Sequence, residues 1–211
     1  MTAESIFRMV FWILILSVVV FDRITPALKA KRSGAKLRPD NETIKNEGKG
    51  LFAFRVVLGI ILAGFLVVYT FYPELTNRLQ IHLPLGLRWF GVVVATIGVI
   101  FWSCAQAVLD RNWSGNLKIQ KGHKLVTAGP YGKIRHPIYA GTILWASGLA
   151  LFTANVFFIL MALLTIVFIF LRVTKEEKML IEHFGDEYIK YIDTTGRYFP
   201  KSRHSKDGRW S

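Results

Sequence analysis

Cysteine is nearly missing from this chain. Cys104 is the only one among 211 residues, so neither an intrachain disulfide framework nor a Cys-rich zinc site can form. Histidine is sparse as well. His82, His123, His136, His183 and His204 show no paired spacing such as H-E-x-x-H, and no metal is expected. No G-x-G-x-x-G follows a strand pattern, which argues against a soluble dinucleotide fold. Acid is short: 14 Asp and Glu face 27 Lys and Arg, a net charge of +13. Yet 52% of the residues are hydrophobic. Soluble domains rarely combine the two. The pattern suits a membrane protein with basic loops. The length reads as a single domain, residues 1–211. No repeat or low-complexity tract is visible.

What is present is organised in five apolar runs, residues 6–21, 51–72, 89–109, 138–152 and 156–171. They predict an all-α integral membrane protein of about five transmembrane helices with a cytosolic C-terminal helix. The second and third runs can each span ~30 Å of hydrocarbon. The others are shorter, and the last two read as a hairpin across the polar break Thr153-Ala154-Asn155. Run 6–21 has no small-x-small cleavage site directly after it and ends at Asp22-Arg23, so it reads as a retained anchor. Charge sets the orientation. Segments 22–50, 110–136 and 172–211 carry eight, six and nine Lys/Arg, whereas the other side has Arg8, Arg78 and Arg88. The positive-inside rule then places the N-terminus outside and the C-terminus inside. The basic excess serves topology and attraction to anionic membrane lipid. Because it is divided among separate loops, nucleic acid is not an expected partner.

Two polar clusters return to one membrane face. One is Gly129-Pro130-Tyr131-Gly132-Lys133-Ile134-Arg135-His136-Pro137-Ile138-Tyr139; the other is Arg172-Val173-Thr174-Lys175-Glu176-Glu177. A charged, aromatic pocket at a membrane surface is a functional site by default. Plainer roles are open for each residue. His136 before Pro137 fits a helix start. Arg172 fits a snorkelling anchor, and Glu176-Glu177 fit charges at a helix N-terminus. Trp113 reads as an interface anchor. Segment 29–50 reads as a polar, mobile loop. Beyond Arg172, Met179, Leu180, Phe184 and Tyr188 recur at near-helical spacing, with Gly185 as an interruption.

The first cluster, preceded by Gly122-His123-Lys124-Leu125-Val126, resembles the cofactor region of the isoprenylcysteine carboxyl methyltransferase family. Arg172-x-x-x-Glu176-Glu177-x-x-Leu180, Phe184-Gly185-x-x-Tyr188-x-x-Tyr191 and Gly196-Arg197-x-x-Pro200 resemble its C-terminal block. The resemblance covers residues 112–200, and the length and span count are similar to those of small prokaryotic members. It implies an S-adenosyl-L-methionine-dependent carboxyl O-methyltransferase whose binding region lies at 112–200, at the cytoplasmic face. By that resemblance Gln120, His123, Lys124, Leu125 and Val126 line adenine and ribose. Tyr131, His136, Pro137, Ile138 and Tyr139 wrap the methionine end, and Arg135 is a further cofactor-binding residue. Glu176 or Glu177 meets the amino group or ribose, and Arg172 holds the acceptor's carboxylate. Arg172, Glu176 and Glu177 are thus the candidate catalytic residues. The implied acceptor is lipophilic or lipidated, prenylcysteine-like.

The chemistry suits such a site. A carboxylate is already ionised at pH 7, so alignment and desolvation suffice and no general base is needed. Arg orients a carboxylate bidentately, and Tyr faces accept a cation. Two alternatives keep parts of this reading. A phospholipid amine or thiol methyltransferase would share the cofactor half, but an ammonium acceptor needs a base. An NADPH-dependent sterol-type reductase would share the C-terminal layout, but the His-Lys-Leu-Val block speaks against it.

Overall fold

The computed structural model describes residues 3–25, 41–109 and 125–201. Helices occupy all five apolar runs. They are α1 (Ala3–Val19, closed by a π turn Val20–Ile24), α3 (Lys49–Phe71), α5 (Leu85–Leu109), α6 (Pro137–Thr153) and α7 (Val156–Phe184). Short helices α2 (Asn41–Glu47) and α4 (Pro73–Asn77) precede and follow α3, and α8 (Asp186–Thr194) closes the series. Among the described residues there is no strand, only isolated bridges at Gln80–Asn155 and Ile134–Gly196. Among the described residues three helices, α3, α5 and α7, are long and apolar enough to cross a membrane, with 23, 25 and 29 residues. α6 is apolar but has 17 residues. The chain is an all-α integral membrane protein, and large apolar side chains such as Ile13, Ile60, Phe71 and Leu163 point outward, as a lipid environment requires.

One difference from the sequence pattern matters. Hydropathy falls at Arg172, but the helix does not end there. It runs on to Phe184 through Lys, Glu, Met and Leu, all good helix formers. Glu176 and Glu177 therefore sit inside a long helix, not at a helix N-terminus. Gly185, at φ 53°, ends α7 and begins α8, a conformation Gly adopts at little cost.

The core joins α1 (Phe7, Phe11, Leu14), α3 (Tyr69), α5 (Ala95, Val99), α6 (Leu149, Phe152) and α7 (Phe158). α5 and α6 meet backbone to backbone. A Cβ on Gly91 would lie 2.7 Å from the Phe152 nitrogen, and one on Gly141 would lie 2.8 Å from the Trp102 nitrogen. Gly98 and Gly148 are equally crowded by Trp145 and Ala95. Lipid tails are as apolar as Leu, so membrane helices associate through such close packing of small residues.

One end of the bundle is closed by buried polar groups. The Arg88 guanidinium donates to Glu4 at 2.9 Å and to the Phe152 carbonyl at 2.8 Å, and lies 4.0 Å from the Phe7 ring centre. Arg8 donates to the Tyr69 carbonyl at 3.2 Å and to Asn77 at 3.1 Å. The α6–α7 turn is clamped here too. Asn155 caps α7 by accepting from the Phe157 N–H at 3.0 Å and donates to the Thr76 carbonyl at 3.0 Å. The Ile81 N–H donates to the Ala154 carbonyl at 2.7 Å. Arg8 and Arg88, grouped by charge on one side of the membrane, do lie at this end.

Candidate active site

The other end gathers the two clusters. Gly129 (φ 57°) and Pro130 open a single 3₁₀ turn, Gly129–Gly132, which buries Tyr131. The chain then bends through residues 133–135 to His136, whose carbonyl opens α6 by accepting from Ala140, with Pro137 at the first helical position. Residues 133–136 pair with the segment after α8. The Gly196 N–H donates to the Lys133 carbonyl at 3.1 Å, Arg135 N–H to Gly196 at 2.8 Å, and His136 N–H to Arg197 at 3.1 Å. Tyr191 adds a hydroxyl donation to the Tyr131 carbonyl at 2.6 Å. The C-terminal segment is thereby fastened across the start of α6.

The two adjacent glutamates do different work. Glu177 is buried, and three basic groups converge on it. Arg135 Nε lies at 3.1 Å and His136 Nε2 at 3.2 Å from one oxygen, and Arg197 pairs with the other. Arg135 also donates to the carbonyls of Ile192 and Thr195. Its role is to tie α8 to α7 through Glu177. Glu176, on the next helical position, faces Tyr139 instead and accepts its hydroxyl proton at 2.7 Å. Among the described residues that is the one side-chain bond it makes. Arg172 Nε donates to the same Tyr139 oxygen at 2.8 Å, and its Nη1 donates to Glu47 at 2.7 Å. Arg172, Tyr139 and Glu176 therefore form one continuous hydrogen-bonded chain.

Aromatic rings wall the site. His136 lies 5.8 Å from Tyr139 and 6.4 Å from Tyr198 between ring centres, and Tyr188 packs 5.8 Å from Tyr191. Burial raises the pKa of Tyr131 and Tyr188 well above the ordinary phenol value and pushes Tyr191 and Tyr198 up to about 12. All four remain neutral hydroxyls at physiological pH. Among the described residues the buried Tyr188 and Tyr198 hydroxyls have no hydrogen-bond partner, though the charges of Glu176 and Glu177 act on both. Native proteins leave few buried donors unpaired, so two beside one carboxylate pair mark a place where a polar ligand fits.

Leu125 and Val126 lead into the 3₁₀ turn and are half-buried; Ile138 is half-buried and Pro137 buried at the start of α6. Gln120, His123 and Lys124 lie outside the described residues, as does Trp113. His82 and His183 are exposed. Reading the sequence overlooked Glu47, a lone acid in the polar segment before α3, with no motif around it. It also gave no individual role to Tyr188, Tyr191, Tyr198 or Arg197. Three of these, Tyr188, Tyr191 and Arg197, stand at fixed positions in the C-terminal block, and that spacing is the signal that finds them.

The family model described as "Isoprenylcysteine carboxyl methyltransferase (ICMT) family" matches residues 89–182. That stretch contains α5 from Trp89 onward, Tyr139, Arg172, Glu176 and Glu177. Over this stretch the chain is similar to the isoprenylcysteine carboxyl methyltransferase family. Protein-S-isoprenylcysteine O-methyltransferase A of Arabidopsis thaliana is 30% identical over 114 residues, 53% of this chain and 58% of that protein. The Schizosaccharomyces pombe protein-S-isoprenylcysteine O-methyltransferase is 41% identical over 75 residues, 35% of this chain and 32% of that protein. A solved structure of the eukaryotic intramembrane Ras methyltransferase ICMT superposes with a TM-score of 0.52 at 25% identity, covering 69% of this chain and 52% of that one. The chain spans about half the length of the curated relatives it matches.

Proposed function

We propose that this chain is an integral-membrane, S-adenosyl-L-methionine-dependent methyltransferase that esterifies the carboxylate of a prenylcysteine-like lipophilic or lipidated acceptor. The observation that carries the reading is the hydrogen-bonded chain from Arg172 through Tyr139 to Glu176, inside the family-matched stretch and at the polar end of α7. It sets a guanidinium for a carboxylate and a carboxylate for an ammonium on either side of one tyrosine.

The site's donors fit the methyl donor. Glu176, with its single tyrosine bond among the described residues, suits the cationic amino group; Glu177 is already engaged by Arg135, His136 and Arg197 and serves to hold the C-terminal segment. The unpaired Tyr188 and Tyr198 hydroxyls supply further polar contacts. Tyr131, Tyr139 and His136 present ring faces to a sulfonium. Leu125 and Val126, with Gln120, His123 and Lys124, flank the adenosine part, and Pro137 and Ile138 close the methionine end. Arg135 acts from behind, through Glu177. The bound donor supplies a methyl group already activated on sulfur. Arg172 orients the acceptor's carboxylate oxygen toward that methyl, and the aromatic walls exclude water. The donor would supply the methyl for a carboxylate oxygen that is already ionised, so these residues would have no proton to move.

This site lies at the cytoplasmic face in our reading, with five crossings and the N-terminus outside. Arg78 and Lys178 are both exposed and sit at opposite ends of the bundle. In a Cys104→Ser background, Arg78→Cys should label from outside and Lys178→Cys from the cytoplasm; the reverse would invert the topology.

The activity test is methyl incorporation into N-acetyl-S-farnesylcysteine by purified protein, with S-adenosylhomocysteine titrated alongside. Wild type should turn over. Arg172→Ala loses a charge-assisted bond of ~1.5–3 kcal/mol and should turn over roughly ten- to a hundredfold more slowly. Equal rates would remove Arg172 from the site. Methylation of an ethanolamine lipid in place of the prenylcysteine would move the protein to amine chemistry.

A further inference from the structure

Glu47 is an acid without an evident duty. It lies outside residues 89–182, in a segment whose sequence reads as a polar loop, and yet it is 0% exposed. Three cations surround it. Arg172 Nη1 lies 2.7 Å from Oε1 and Arg55 Nη2 lies 3.0 Å from Oε2, while Lys175 donates to the Glu47 carbonyl at 2.5 Å. The delivery is specific. Glu47 ends α2, and Gly48 turns the chain into α3 at φ 83°. A Cβ on Gly48 would meet only the movable tip of Lys175, Nζ at 2.6 Å, so it is the positive φ of the turn that favours glycine.

Arg172 is therefore already engaged. Its Nε serves Tyr139 and its Nη1 serves a carboxylate that belongs to the chain itself. Each guanidinium edge that can grip a carboxylate with two nitrogens, Nε–Nη2 or Nη1–Nη2, includes a nitrogen with a resident partner, so an incoming carboxylate competes with one of these partners. The groups around Glu47 make that the easier exchange. Glu47 divides its oxygens between Arg172 and Arg55, so it can release Arg172 and keep Arg55. Arg172 stays paired because one carboxylate replaces another. No buried charge is stranded at any point, which is the event that makes breaking a buried pair costly. Releasing Tyr139 instead would break the bond chain to Glu176.

From this we infer that Glu47 is a resident stand-in for the acceptor's carboxylate: it holds Arg172 ready in the empty site, competes with the acceptor for it, and makes carboxylate-bearing acceptors the ones that can enter. The inference rests on the methyl-transfer reading above and assigns specificity to a residue outside the stretch that the family model matches.

Two substitutions with opposite expected signs test it. Glu47→Gln keeps the shape but removes the charge, so its hold on Arg172 weakens and KM for N-acetyl-S-farnesylcysteine should fall roughly three- to tenfold. Arg55→Gln removes the fallback partner, so Glu47 leans harder on Arg172. KM should then rise by a similar factor of about three to ten, with kcat unchanged. Affinity for S-adenosylhomocysteine should be the same in both variants and wild type, which also reports that they are folded. A counter-ion that only fixes Arg172 in place predicts the contrary for Glu47→Gln, a lower kcat with KM unchanged or raised, and that result overturns the inference. If Glu47→Gln does not fold, Arg55→Gln decides alone, and an unchanged KM overturns it. A wild-type protein inactive on the prenylcysteine fails the functional reading itself, and the inference with it. An active wild type whose variants share one KM fails the inference only.

Discussion

The two polar ends of this bundle use the same materials to different effect. At the end near Glu4, cations meet carbonyls and carboxylates, and the arrangement closes turns: Arg88 joins Glu4 to the last residues of α6, and Asn155 joins α7 to α4. At the other end buried ions also pair, but Tyr188 and Tyr198 keep unpaired hydroxyls beside Glu176 and Glu177. Both ends are rich in paired charge, so charge alone does not distinguish a site from a strut. What separates them is whether the donors are all taken.

The sharpest way to break that comparison is to remove a strut from the site end. Glu177→Ala leaves Arg135, half-buried among the carbonyls of Ile192 and Thr195, without its carboxylate. Removing one partner of a buried pair costs about 3–5 kcal/mol. We expect a lower midpoint of thermal unfolding in detergent and protease access near α8. A wild-type melting curve would mean that Glu177 is not the tie described here.

A smaller effect is expected at His136, which touches Glu177 at 3.2 Å and packs its ring between Tyr139 and Tyr198. His136→Ala should weaken S-adenosylhomocysteine binding at least several-fold, roughly 1 kcal/mol or more, as read by calorimetric titration of a folded protein. Unchanged affinity would take His136 out of the cofactor wall.

The smallest effect belongs to the far end. Glu4 is partly exposed, so its pair with Arg88 is worth at most ~1 kcal/mol. Glu4→Gln should therefore lower stability slightly and leave the rate of methyl incorporation at its wild-type value. A large loss of rate with intact folding would show that the two ends are coupled, contrary to the contrast drawn here.

Much of this was legible in the residues. The five apolar runs each hold a helix because hydropathy reports burial in lipid directly. The break at Thr153-Ala154-Asn155 reads as a turn and is one. Arg172 and Glu176 read as neighbours one helical turn apart; Tyr139, from another helix, stands between them, and no local spacing could place it there. Glu47 was illegible because its burial comes from the Gly48 turn and from Lys175 and Arg172, far along the chain. The α5–α6 seam was legible in principle. Gly91, Ala95 and Gly98, against Gly141 and Gly148, form a small-residue stripe, but inside strongly apolar runs the glycines pass as unremarkable. The end of α7 was misplaced because the boundary of an apolar run is not the boundary of a helix.

That seam also divides the molecule mechanically. With their backbones in contact, α5 and α6 have no side-chain layer to slide upon and behave as a single beam. α3 is the opposite case. Of its 23 residues only Tyr69 is buried, and its hold on α7 comes from ring stacks such as Phe65 on Phe157 and Phe54 on Phe168. Elements with few buried contacts open at low free energy. Compliance in this protein is therefore concentrated on the face where α3 meets α7, the same face that carries Arg55 and the turn to Glu47, while the wall bearing His136 and Tyr139 stays fixed to the beam.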